Sequence, residues 1–157
     1  MPEAAERPLR RAAAIATVSP MAAHLWGRVH ATAAFAALEQ GNPEAATRSV
    51  RAAAAAAARY GDCPSCSALL NPMAAEAFAA LDLREEARAS AESATAVAGT
   101  FDSSAWRAMA ESAAGSATKA EGESARARAH FEAAASLYER AHQPFWAERS
   151  RSQLAAA

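Results

Sequence analysis

Alanine-rich runs alternate with short polar clusters along this chain, and prolines mark where the runs begin. Ser19-Pro20, Asn42-Pro43, Asn71-Pro72 and Gln143-Pro144 each place a polar residue before a proline that opens such a run. A side-chain oxygen at the N-cap takes an orphan backbone N–H, and proline at the first helical position gives up a donor that had no partner. Gly41, Gly61 and Gly99 follow helical stretches and are candidates for the left-handed residue that ends a helix. The pattern predicts a weaker helix near 4–18 and about seven main helices near 20–40, 43–60, 71–81, 83–98, 103–120, 123–142 and 144–155. Short connections force neighbouring helices to run antiparallel.

Composition strengthens this all-α reading. Of the 157 residues 52 are alanine and only 6% are aromatic, so the core must come from close helix-to-helix approach. Alanine is the best helix former and a poor strand former. The formal charge of −1, from 16 basic and 17 acidic residues, excludes a generally cationic nucleic-acid or membrane binder. All but one of the basic residues are arginine, Lys119 being the exception, which together with the alanine load reflects codon usage in a GC-rich genome. The basic N-terminus before Ala12–Val18 imitates a signal peptide, but its apolar stretch is seven mostly alanine residues ending at Ser19-Pro20. With two cysteines too close to staple distant elements, a reducing, cytoplasmic location is expected.

The helices repeat. Gly41, Asp82 and Gly122 are turn residues, each followed five positions later by alanine: Ala46, Ala87 and Ala127, which are 41 and 40 residues apart. Seven residues before each turn stands a small residue, Ala34, Ala75 or Gly115, and seven after each aligned alanine stands Ala53, Ala94 or Ala134. This arrangement resembles tetratricopeptide repeats (TPR), whose pattern puts small residues where two helices cross, a turn between them, then alanine and an aromatic. The third unit carries it best, with Gly115, Gly122, Ala127, Phe131 and Ala134 at the family's spacings. The period of 40–41 exceeds the usual ~34, and Val50 and Ala91 stand where the third unit has Phe131.

The resemblance covers residues 21–157, and longer-helix arrays of this kind are similar to the repeat regions of large bacterial regulators with LuxR-type outputs. It implies stacked antiparallel hairpins forming a short right-handed TPR-like α-solenoid: an N-terminal arm or capping helix over 1–19 and a repeat domain over 20–157. The units are 20–60, 68–99 and 103–142, with a closing helix 144–155. It also implies a non-enzymatic interaction module, regulatory or scaffolding, that binds a protein or peptide partner or a second copy of itself through the inner wall. Counted from the aligned turns, that wall carries Arg28, Phe35 and Leu38 from the first unit, Leu69 and Glu76 from the second, and Met109, Ser112, Ser116 and Lys119 from the third. No cofactor, direct nucleic-acid contact or membrane contact is expected.

Reactive chemistry has one candidate, Cys63-Pro64-Ser65-Cys66, in the longest loop. Such a pair can cycle between dithiol and disulfide, supply half of a tetrahedral zinc site, or stay as two free thiols. A metal-binding (zinc) or thiol-redox sensor built on Cys63 and Cys66 is therefore the alternative function. The motif is also similar to the zinc hook of DNA-repair ATPases, where two copies share one metal. Histidine spacing adds no ligand: His24 and His30 lie about 120° apart on a helix, and His130 and His142 are twelve residues apart. Trp26, Trp106 and Trp146 are spaced 80 and 40 residues apart and read as packing residues. No Gly-x-Ser-x-Gly elbow is present.

Overall fold

The computed structural model describes residues 2–157, which form helices joined by short turns, with no strand among the described residues. The helices are α1 (Pro2–Val18), α2 (Ala22–Leu38), α3 (Pro43–Tyr60), α4 (Pro64–Ser67), α5 (Leu70–Ala80), α6 (Arg84–Ala98), α7 (Ser104–Ala120), α8 (Ser124–Arg140) and α9 (Pro144–Ala155). Sequential antiparallel pairs, α2 with α3, α5 with α6 and α7 with α8, stack through α5, which touches α2, α3 and α7. No helix is long and apolar enough to cross a membrane among the described residues.

The three aligned turn residues all occupy the left-handed region, with φ of 67° at Gly41, 57° at Asp82 and 82° at Gly122. Each closes its helix with the same pair of bonds. In the first turn Gly41 N–H donates to Leu38 O at 2.9 Å and Asn42 N–H to Ala37 O at 3.0 Å. Leu83 to Phe78 and Glu123 to Thr118 repeat the longer bond in the other two. This six-to-one closure is what a left-handed residue after a helix produces. Asn42 then caps α3, its Oδ1 accepting from Ala45 N–H at 2.9 Å with Pro43 behind it.

Some punctuation differs from the sequence reading. Gly99 has φ −69° and stays right-handed, so it does not supply the expected left-handed ending. A fourth left-handed closure sits between α8 and α9, at His142 with φ 55°. The helix expected to open at Asn71-Pro72 begins at Leu70, so Pro72 falls inside its first turn, where the missing N–H still costs nothing. The loop carrying the cysteines contains the extra short helix α4.

The crossings are built from the small residues of the repeat. Ala34, Ala46, Ala53, Ala75, Ala87, Ala94, Ala127 and Ala134 are all buried. At the third crossing Gly115 makes room for Phe131, which is 1% exposed: a Cβ on Gly115 would lie 2.8 Å from Phe131 Cε1. The first two units lack a ring at that position, and their small-residue crossings are filled instead by Phe78 and Met73, with Val50 packed against both clusters. The tryptophans do pack: Trp26 stacks on His30, Trp106 tilts against Phe101, and Trp146 lies between Phe35 and Tyr138.

Candidate functional site

Two places gather chemistry. The first is the wall made by α2, α5 and α7, where α9 lies. Trp146 packs on Phe35 at 5.2 Å between ring centroids and joins the cluster of Ala34, Ala37, Met73 and Ala77. Arg149 donates to Glu39 Oε1 at 2.8 Å and to both oxygens of Glu76 at 2.8 and 2.9 Å, while Gln153 donates to Glu76 Oε2 at 2.8 Å. Burial pulls the Arg149 guanidinium down, but Glu76 and Glu39 outweigh it and leave it above its ordinary range. The guanidinium also lies over the rings of Phe35 and Trp146.

The nine wall residues fall into distinct settings around this helix. Leu38, Glu76, Ser116 and Lys119 line one cavity of about 690 Å³ together with Arg149 and Gln153. Lys119 donates to Ala156 O at 2.7 Å, at the carbonyl end of α9, where a cation is favoured. Phe35 lies under Phe145 and Trp146, and Ser112 lines a small cleft with Tyr138, Trp146 and Arg149. Met109 packs into the cluster of Tyr138, Leu137 and Ala147. Leu69 is half-exposed between α4 and α5. Arg28 stands apart from the wall, in the groove between α1 and α2 and beside the Cys66 thiol.

The second place is the cysteine loop. Cys63 precedes Pro64, and the single turn of α4 brings Cys66 N–H to Cys63 O at 2.9 Å, so both thiols project from one turn. α4 packs on α2. There His24, exposed in the first turn of α2, sets its Nδ1 3.3 Å from Cys66 Sγ. The His24 ring nitrogen and the two sulfurs all lie within 4.8 Å of one another. Sequence spacing gave His24 no place beside the cysteines, because the two segments are separated by 42 residues and meet only through helix packing.

The two thiols are electrostatically unequal. Hydrogen bonds from Ser65, then from the Cys66 side chain and backbone, hold Cys63 down to about 6. Cys66, next to Cys63 and partly desolvated, is pushed up, with Arg28 opposing the rise. Of the other histidines, His130 pairs with Glu111 at 2.7 Å between α7 and α8, and burial pushes His30 down under Trp26.

The fold and these two places define an all-helical domain of stacked antiparallel helices. No family model, curated protein or solved structure matches the chain.

Proposed function

We propose that this chain is a non-enzymatic, TPR-like helical-repeat module of the bacterial cytoplasm that recognises a helical segment of a protein partner, or of a second copy, through the wall of α2, α5 and α7. The observation that carries the reading is how that wall treats α9. It seats an aromatic anchor, Trp146, on Phe35 and Met73, and one helical turn away it clamps an arginine between Glu39 and Glu76. A further turn on, Gln153 reaches the same glutamate. Anchors at i, i+3 and i+7 are how a groove reads one face of a helix. A buried aromatic beside a charge-assisted two-point bond is the combination that dominates binding energy at interfaces. The α9 helix thus states the chemistry of the ligand: aromatic, then Arg, then an amide donor.

The test frees the wall and offers the helix back. In the full chain, Trp146→Ala with Arg149→Ala weakens the internal contact. A fluorescent peptide of residues 143–157 should then bind saturably, as followed by anisotropy, while the unaltered chain binds it poorly. Adding Glu76→Gln should remove most of that binding. If the doubly substituted chain keeps its helical circular dichroism and binds no peptide, the wall is not a helix-recognition surface.

A further inference from the structure

Independently of that reading, we propose that His24, Cys63 and Cys66 form a three-ligand site for a thiophilic divalent cation, zinc above all, with a fourth coordination position left open. Donor chemistry selects the ion. Two thiolates and one imidazole are soft-to-borderline ligands, and in tetrahedral geometry they suit zinc rather than magnesium or calcium, which take oxygen.

Geometry supports the assignment at three levels. Tetrahedral zinc with Zn–S near 2.3 Å and Zn–N near 2.0–2.1 Å holds its ligand atoms about 3.5–3.8 Å from one another. His24 Nδ1 and Cys66 Sγ stand 3.3 Å apart, already close to that edge, and all three donors lie within 4.8 Å. Closing the remaining gaps takes about 1 Å of movement, well inside the reach of one cysteine rotamer change. Second, the backbone is arranged for the pair: Pro64 starts α4 directly after Cys63, so Cys66 returns one turn later on the same side. Third, the approach is open, since His24 is exposed and both cysteines are only partly covered. Ions can enter without unfolding, and a fourth ligand can reach the metal.

Arg28 lies one turn after His24 on α2, beside the Cys66 thiol. Metal entry displaces the remaining thiol protons to solvent, so uptake is accompanied by acid release. Among the described residues no other group of His, Cys, Asp and Glu brings three donors this close.

The experiment uses the full chain, reduced and freed of metal, titrated with zinc and separately with cobalt(II). Native mass spectrometry should show one zinc per chain, and the cobalt form should show thiolate-to-metal charge transfer with the intense visible bands of tetrahedral coordination. His24→Ala should weaken binding by about 100-fold or more, since each ligand carries a large share of such a site's affinity. His24→Cys should restore binding with a stronger charge-transfer band, and His130→Ala should change nothing. Unaltered affinity in His24→Ala overturns the proposal, because the metal would then rest on the cysteines alone. One metal per two chains with His24 dispensable overturns it in favour of a shared four-cysteine site. Failure of the reduced chain to take zinc from a chelator of micromolar affinity overturns it outright.

Discussion

Arg149 on α9 and Glu76 on α5, 73 residues apart in the chain, meet in a two-point ion pair, Nη1 to Oε2 at 2.8 Å and Nη2 to Oε1 at 2.9 Å. The arginine side chain is only 14% exposed and the glutamate 25%. At that depth the attraction is partly spent on removing both charges from water, so the pair's net contribution is smaller than the cost of breaking it. Arg149→Met should destabilise the fold by about 2–4 kcal/mol, because Glu76 is left with Gln153 alone. Arg149→Met combined with Glu76→Met should recover most of the loss. A urea double-mutant cycle checks this; additive losses would show that the two residues act separately.

Gly115 and Phe131 make a second coupled pair. Glycine in the middle of α7 gives up about 1 kcal/mol of helix stability relative to alanine. The ring of Phe131 fills the space a methyl group would take. Gly115→Ala should therefore be destabilising on balance, since forcing an atom into a packed core costs about 1–3 kcal/mol. With Phe131→Leu present, the same Gly115→Ala change should become stabilising. Thermal unfolding of the four proteins gives the sign of each step, and an unchanged sign would mean the ring does not dictate the glycine.

Cys63, held to about 6, is mostly thiolate at neutral pH in the reduced, metal-free protein. Alkylation by iodoacetamide should fall mainly on Cys63, with a rate that drops as pH descends through 6, about tenfold per unit below it. The thiolate's contribution to stability has the same sign, being lost as pH falls toward 6. Ser65→Ala removes the first of the hydrogen bonds holding the value down and should move the midpoint upward. Peptide mapping by mass spectrometry separates the two sites, and preferential labelling of Cys66 would contradict the assignment.

Tyr138 should set the alkaline limit of the fold. Burial pushes its phenol up to about 12 from an ordinary 10.0, with a hydrogen bond to Ser112 and the charge of Arg149 offsetting part of the rise. Between pH 10 and 12 the unfolded chain releases this proton and the folded chain keeps it. Stability present below pH 10 is thus lost progressively as pH rises, by about 2–3 kcal/mol in all. Tyr138→Phe should flatten that part of the profile, which denaturant titrations at pH 9, 10 and 11 would reveal.

The repeat was legible because its signals are local. A left-handed turn residue, a proline near a helix start and an alanine at a crossing each act over one or two helical turns, although of Ser19, Asn42, Asn71 and Gln143 only Asn42 caps a helix with its side chain. Hence Gly41, Asp82 and Gly122 could be aligned from the chain alone, and all three adopt the same backbone state. Residue type alone does not set every turn. His142 takes a left-handed conformation that its residue type does not demand, and Gly99 does not use the freedom it has.

His24 was missed for a different reason. Helical spacing compares residues on one element, and the partners of His24 lie on another, 39 and 42 residues away in sequence. A one-turn helix docked on α2 creates that neighbourhood, and no pattern in either segment announces it. The same holds for the wall residues. Counting from turns placed Phe35, Leu38 and Glu76 near one another, but that α9 lies on them is decided by contacts between residues far apart in the chain.

By itself, then, the sequence determined that the chain is all-helical, where most helices begin and end, and which small residues sit at the crossings, because propensity, capping and steric fit are short-range. The tertiary structure decided that α9 reaches back to α2 and that an imidazole meets two thiols. Residues 73 and 110 positions apart come into hydrogen-bond range only because helices distant in the chain pack side by side, which no short-range signal specifies.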